Sequence, residues 1–181
     1  MRTIPQQTVD LTITEVVVVG LLAEGKRSGY DLVKRAEASV GHMWSPAKSQ
    51  LYAVLPRLVD AGLARRRSVR QQGRPDKQVY WLTPAGRRAL RAWLEHPSPR
   101  SWDELLLKVF FGKHVPATVL LPQLETYREV ESSRLADYRA IEREIASNPD
   151  RRHGYLTLRY GLSFARSRLR WLDETMKELS R

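Results

Sequence analysis

Three polar side chains in a row, Lys48-Ser49-Gln50, follow the pair Ser45-Pro46 in a stretch that otherwise alternates like an amphipathic helix. Their types suit the edges of nucleic-acid bases, because a lysine ammonium can hydrogen-bond guanine and a glutamine amide can pair with adenine. Between Arg65 and Lys77 there are six Lys or Arg and one acid, Asp76. Arg74 stands between Gly73 and Pro75 at a stiff turn, where a guanidinium is presented to a narrow minor groove.

These side chains need a helix and a hairpin to hold them. Ser45 can accept a first-turn N–H and Pro46 fits where no donor is needed, so the pair predicts a helix start; Gly62 predicts its stop. Leu51, Leu55, Leu58 and Val59 then face inward, and Lys48, Ser49, Tyr52 and Arg57 outward. From Leu63 the pattern changes to two short β-type runs, Leu63–Val69 and Lys77–Leu82, around the turn Gln71-Gln72-Gly73-Arg74-Pro75-Asp76. Successive side chains of a strand point to opposite faces. Only about half of Arg65, Arg66, Arg67, Arg70 and Lys77 can therefore meet one ligand surface. A reading helix followed by a cationic hairpin is the plan of a winged helix-turn-helix.

The motifs carry a specific resemblance. Gly29-Tyr30-Asp31-Leu32, Trp44-Ser45-Pro46, Gln50-Leu51-Tyr52, Leu55, Arg57-Leu58, Ala61-Gly62-Leu63, Gly73-Arg74-Pro75, Val79-Tyr80, Leu82-Thr83 and Ala85-Gly86 stand in the order and spacing of the PadR family of bacterial transcriptional regulators, which the chain resembles over roughly residues 14–96. The resemblance implies a winged-helix DNA reader, in which Tyr30 and Tyr52 match positions that look like phosphate contacts through the phenol, with core packing and a solvent-facing hydroxyl as the alternative for Tyr30. It also implies that the four-valine run within Thr12–Glu24 is a helix, although its residue types favour a strand. In the family form a proline directly follows the tyrosine of the reading helix, whereas here Ala53-Val54-Leu55 intervene before Pro56. A proline there removes a donor and is expected to kink the helix. The length of 181 residues points to the larger PadR-like proteins, which have a long C-terminal helical region.

Ser28 predicts the cap of a second helix running to Val40, and Thr83-Pro84 that of a helix reaching His96. Two prolines in Pro97-Ser98-Pro99-Arg100-Ser101 mark the expected boundary between a reader at 1–96 and an all-helical dimerisation and effector domain at 97–181. In that second part Asp103–Gly112 reads as a short helix, Pro116–Ser147 as a long one, and the last helix carries Tyr155, Leu158, Leu162, Ala165, Leu169, Leu172, Met176 and Leu179 at steps of three and four. Such a seam suits a second subunit, with Leu158, Leu162, Leu169, Leu172 and Met176 at the contact; the alternative is a hairpin with Pro116–Ser147 in the same chain. Trp102, Phe110, Phe111 and Trp171 are the aromatics expected to line an effector pocket, unless they are core.

The net charge is +11, of which residues 1–96 carry +8 and 97–181 carry +3, so the charge concentrates where the motifs lie. There is no cysteine, which removes disulfides and thiolate chemistry and fits a reducing cytoplasm. The longest apolar run, Val16–Ala23, is too short to span a bilayer, and the first residues lack a secretion-signal pattern. His42, His96, His114 and His153 show no metal-ligand spacing, and neither a glycine-rich phosphate loop nor a serine nucleophile elbow is present. The sequence therefore predicts a mainly α, cytoplasmic, dimeric DNA-binding regulator, most simply a repressor, with no catalytic residues, cofactor or metal. Its partners would be a palindromic duplex operator, a second copy of itself and a small aromatic or drug-like effector, with no membrane. DNA contacts are expected from Tyr30, Ser45, Lys48, Ser49, Gln50, Tyr52, Arg57, Arg70, Gly73, Arg74 and Lys77. A winged helix used for protein contacts and an RNA reader are the rivals. The first has no need of this charge, and the second wants aromatics exposed on a sheet, where Tyr80 and Trp81 alternate.

Overall fold

A computed structural model describes residues 11–40, 47–71, 76–97 and 101–181. Helix α1 (Ile13–Ala23) opens on a capping box, in which Thr12 accepts from the Glu15 N–H and the Glu15 carboxylate accepts from the Thr12 N–H. Val16, Val17, Val18, Val19, Leu21 and Leu22 are all buried. That explains why a β-prone run is helical here: a helix covered on every side needs apolar residues all round, and burial overrides propensity. Helix α2 (Gly29–Ser39) has the same reciprocal cap from Ser28 and Asp31. Helix α3 (Lys48–Asp60) packs on both, with Leu51, Val54, Leu55 and Leu58 buried.

The start of α3 differs from expectation. Ser45 and Pro46 lie outside the described residues, and Ala47 holds the N-cap position with an extended ψ of 139° and no side-chain cap. An extended residue cannot continue a helix backwards, so the helix begins two residues later than Ser45-Pro46 predicts. It then runs on through Pro56 to Asp60. Its end is a Schellman motif: Gly62 adopts φ +70°, its N–H bonds the Val59 carbonyl at 2.9 Å, and the Leu63 N–H bonds the Leu58 carbonyl at 2.9 Å. Glycine takes this left-handed backbone without a Cβ penalty, and the turn releases the chain into the first wing strand.

Strands β2 (Ala64–Val69) and β3 (Lys77–Leu82) pair antiparallel, and a two-residue strand β1 (Arg27–Ser28) adds to the other side of β3, giving the order β1-β3-β2. The third strand was not expected, because two residues carry no periodicity. Helix α4 (Pro84–Glu95) starts at Thr83, whose hydroxyl accepts from the Gly86 N–H and donates to the Gly62 carbonyl at 2.8 Å, tying the wing to the end of α3.

The chain divides into two compact units, Met1–Val115 and Pro116–Arg181. The division by packing thus falls beyond the 96/97 boundary expected from the prolines. Helix α5 (Trp102–Phe110) explains it: Leu107 and Phe111 are wholly buried in the first core, the Phe111 ring lies against Gly20 of α1, and Lys113 pairs with Glu24 at 3.3 Å. Phe111 is therefore part of the core of the first unit; Phe110 packs against the same cluster at its edge, 5.0 Å from the Phe111 ring. Trp102 and Trp171 are each half-buried, one in each unit.

Lys108 on α5 is also wholly buried. Its ammonium donates to the carbonyl of His96 at the end of α4 and lies 5.2 Å from the Trp93 ring. Burial pushes its pKa from 10.5 down to about 8, against the pull of Glu104. A lysine depressed in this way costs the folded state while charged. Between about pH 8 and 10.5 the folded form releases this proton before the unfolded one does, so stability rises with pH across that window. Denaturant titrations should show up to about 3 kcal/mol of such a rise from this group, and Lys108→Met should remove it. A flat wild-type profile would contradict the assignment.

In the second unit, α6 (Ala117–Ile145) and α7 (Arg152–Leu179) form an antiparallel hairpin. Leu135 packs with Leu158, Leu162 and Ala165, flanked by Tyr138, Ile145, Tyr155 and Leu169. Glu131 is buried between the helices and accepts from Arg134 at 2.6 Å and Arg168 at 2.9 Å. The seam expected at a subunit contact is thus spent largely inside one chain: Leu158, Leu162 and Leu172 are already buried, and Leu169 and Met176 are half-buried. Period alone shows that a face is apolar and does not say which helix covers it.

Candidate nucleic-acid interface

The buried face of α3 fixes what its other face can do. With Leu51, Val54, Leu55 and Leu58 inward, Lys48, Ser49, Gln50, Tyr52, Ala53 and Arg57 are left exposed. Tyr52 also has a structural part, because its ring lies so close to Gly29 that a Cβ there would come within 2.7 Å. That contact seats α3 on the first turn of α2. Tyr30 is 59% exposed, so its phenol is not a core group. Lys34 stands over its ring at 4.7 Å.

The wing register sorts the cations. Arg65 pairs with Trp81 and Arg67 with Val79 on one face of the hairpin, while Arg66 pairs with Tyr80 on the other. Trp81 is half-buried and Tyr80 is buried, so neither face offers the exposed aromatic platform of a single-strand RNA reader. Arg65, Arg66, Arg67 and Arg70 are exposed and Lys77 is half-buried. Gly73 and Arg74 of the tip, with Ser45, lie outside the described residues.

Three of the expected contact residues hold acids. Lys48 Nζ lies 3.0 Å from Glu37 Oε1, Lys77 Nζ 2.9 Å from Asp31 Oδ2, and Arg57 Nη2 3.1 Å from Glu15 Oε1. The hydroxyl of Ser28 and then Lys77 hold the Asp31 carboxyl below its ordinary value, and Glu37 holds the Lys48 ammonium above its own. Glu15 and Asp31 each serve twice, since both are also the reciprocal members of helix caps. None of the three acids was foreseen as part of the site. A cleft of about 650 Å³ lies beside the Asp31–Lys77 pair between α2, α3 and β3, with Tyr30, Tyr52, Tyr80, Asp31, Lys77 and Gln78 in its wall.

This is a winged helix-turn-helix that presents exposed polar side chains on α3 beside a cationic hairpin. Residues 18–92 match the model of the transcriptional regulator PadR-like family, and residues 102–180 match the model described as virulence activator alpha C-term. The chain is 30% identical to the probable transcriptional regulator Rv1176c of Mycobacterium tuberculosis, over 87% of its own length and 93% of that protein. It is 28% identical to the negative transcriptional regulator PadR of Bacillus subtilis, over 92% and 97%. Crystal structures of that B. subtilis protein, one with operator DNA and one with p-coumaric acid, are each 27% identical, with TM-scores of 0.46 and 0.44; they cover 93% and 94% of this chain and 98% and 100% of theirs. The chain belongs to the PadR-like family of transcriptional regulators. The family is one of regulators and not of enzymes. Among the described residues no helix is long and apolar enough to cross a membrane.

Proposed function

We propose that this protein is a cytoplasmic, homodimeric repressor that occupies a palindromic operator through residues 1–96 and is released by a small aromatic or drug-like effector acting on residues 97–181. The observation that carries the reading is the exposed row Lys48-Ser49-Gln50-Tyr52 on a helix whose opposite face is wholly core. Apart from the Tyr52 ring, which seats α3 on Gly29, the row has no part in the core, and its residue types match base edges and phosphates. Exposed arginines on the adjoining wing supply the sequence-independent part of the affinity. Repression and the effector class are supported by the B. subtilis relative, named a negative regulator and crystallised with p-coumaric acid. Two recognition helices must stand about 34 Å apart to enter successive major grooves, so an effector that favours another spacing releases the operator.

For the second copy, α7 offers a surface other than the buried seam. Leu156, Tyr160 and Phe164 recur at steps of four and are all exposed; Tyr160 stacks on Phe164 at 5.6 Å, and Arg168 lies 4.2 Å over the Phe164 ring. Aromatic residues backed by arginine are the composition of interface hot spots.

Competition binding tests the reading. The protein should prefer the duplex upstream of its own gene over random duplex and over single-stranded RNA at moderate salt; equal binding to all three, or none, would defeat it. Gln50→Ala should cost about 1 to 3 kcal/mol on the preferred duplex and little on random DNA. An equal loss on both would remove Gln50 from the base-reading set.

A further inference from the structure

Glu37 is poorly placed to stabilise its own helix, though its charge favours the ammonium of Lys34. It lies in the last turn of α2, where the helix dipole disfavours an anion, and its neighbour one turn back, Lys34, stands over the Tyr30 ring. Glu37 and Lys48 are both exposed, yet Glu37 is paired at 3.0 Å with the first residue of the reading helix. Asp31 meets Lys77 of the wing in the same manner, so two of the reader's cations face carboxylates carried by one helix.

We infer that Glu37 is an internal counter-anion of the reader: Lys48 must leave it before engaging DNA, so the acid sets an upper limit on DNA affinity. The inference rests on the reading of α3 as the DNA-contacting helix. Its physical basis is competition for one ammonium. An intramolecular carboxylate is always present at contact distance, whereas a phosphate or a base acceptor must be brought in, and a cation already neutralised gains less from either. Asp31 acts likewise on Lys77, but it also closes the cap of α2 with Ser28. Glu37 is therefore the residue to change.

The experiment is a binding cycle by fluorescence anisotropy with wild type, Glu37→Gln, Lys48→Met and the double variant, on random duplex and on the upstream duplex, from 50 to 200 mM salt. Glu37→Gln is expected to tighten binding to both duplexes by about 1.5- to 5-fold per reader, the range of an exposed ion pair. It should also steepen the salt slope on random DNA by up to about 1 per reader. In the Lys48→Met background the same change should have no effect. Tightening that persists without Lys48 would make Glu37 a general repulsive charge and overturn the pair. Unchanged affinity would overturn it too, and so would a loss confined to the upstream duplex, which would make Glu37 a group that positions Lys48. If wild type bound neither duplex, the DNA reading would fail first and this inference with it.

Discussion

Raising salt from 50 to 200 mM should weaken binding to duplex DNA by roughly 10³ to 10⁵, if a dimer contacts about 6 to 10 phosphates. The expectation follows from where the charge sits. Residues 1–96 carry +8 of the net +11, and Arg65, Arg66, Arg67 and Arg70 are exposed on or beside the wing. The cross-strand register turns Arg66 away from Arg65 and Arg67, so the wing cannot lay all of them on one stretch of backbone. Lys48, Lys77 and Arg57 begin in ion pairs, which holds the count below the number of cations present. The slope of log affinity against log salt measures that count, at about 0.9 per phosphate. A slope near zero would show that the cationic wing does not meet DNA.

Replacing Tyr160 and Phe164 together by Asp should give a monomer and lower operator affinity by about 10² to 10⁴, the gain that linking two readers supplies. Both residues are exposed on α7, so the change puts charge where a second copy is proposed to seat while leaving the hairpin core in place. Leu162→Asp would be a poor substitute, because Leu162 is buried against α6 and the fold would fail with the interface. Sedimentation equilibrium decides the matter: an intact dimer in the double variant would move the subunit contact elsewhere. Circular dichroism on the same samples confirms that the helices survive.

Much of the reader was legible in the chain. Ser28, and Thr83 with Pro84, are local signals, and they place the starts of α2 and α4, although Ser45-Pro46 placed that of α3 two residues early. The inward and outward sets of α3 follow from its period, with Val54 added to the buried side and Val59 only half-buried at its edge. What escaped was long-range. Phe111 returns to Gly20 across 90 intervening residues of sequence, so a proline-rich break in regular structure was not a break in packing. Glu15, Asp31 and Glu37 became part of the site only when α1 and α2 were laid beside α3 and the wing. The α7 seam was visible as apolar, but its partner was α6 of the same chain. The stripe left outside, Leu156, Tyr160 and Phe164, is bounded by Arg152 and Arg168 and has no heptad to announce it.

Hydroxyl-radical footprinting on the duplex upstream of the protein's own gene is the most direct test of the proposal that a two-fold pair of these readers recognises an operator. Two symmetric protected patches are expected on one face of the duplex, centred about one helical turn apart, which Gln50→Ala weakens while leaving binding to random DNA in place. A single patch without two-fold symmetry, or protection that does not change when the sequence is scrambled, would contradict it.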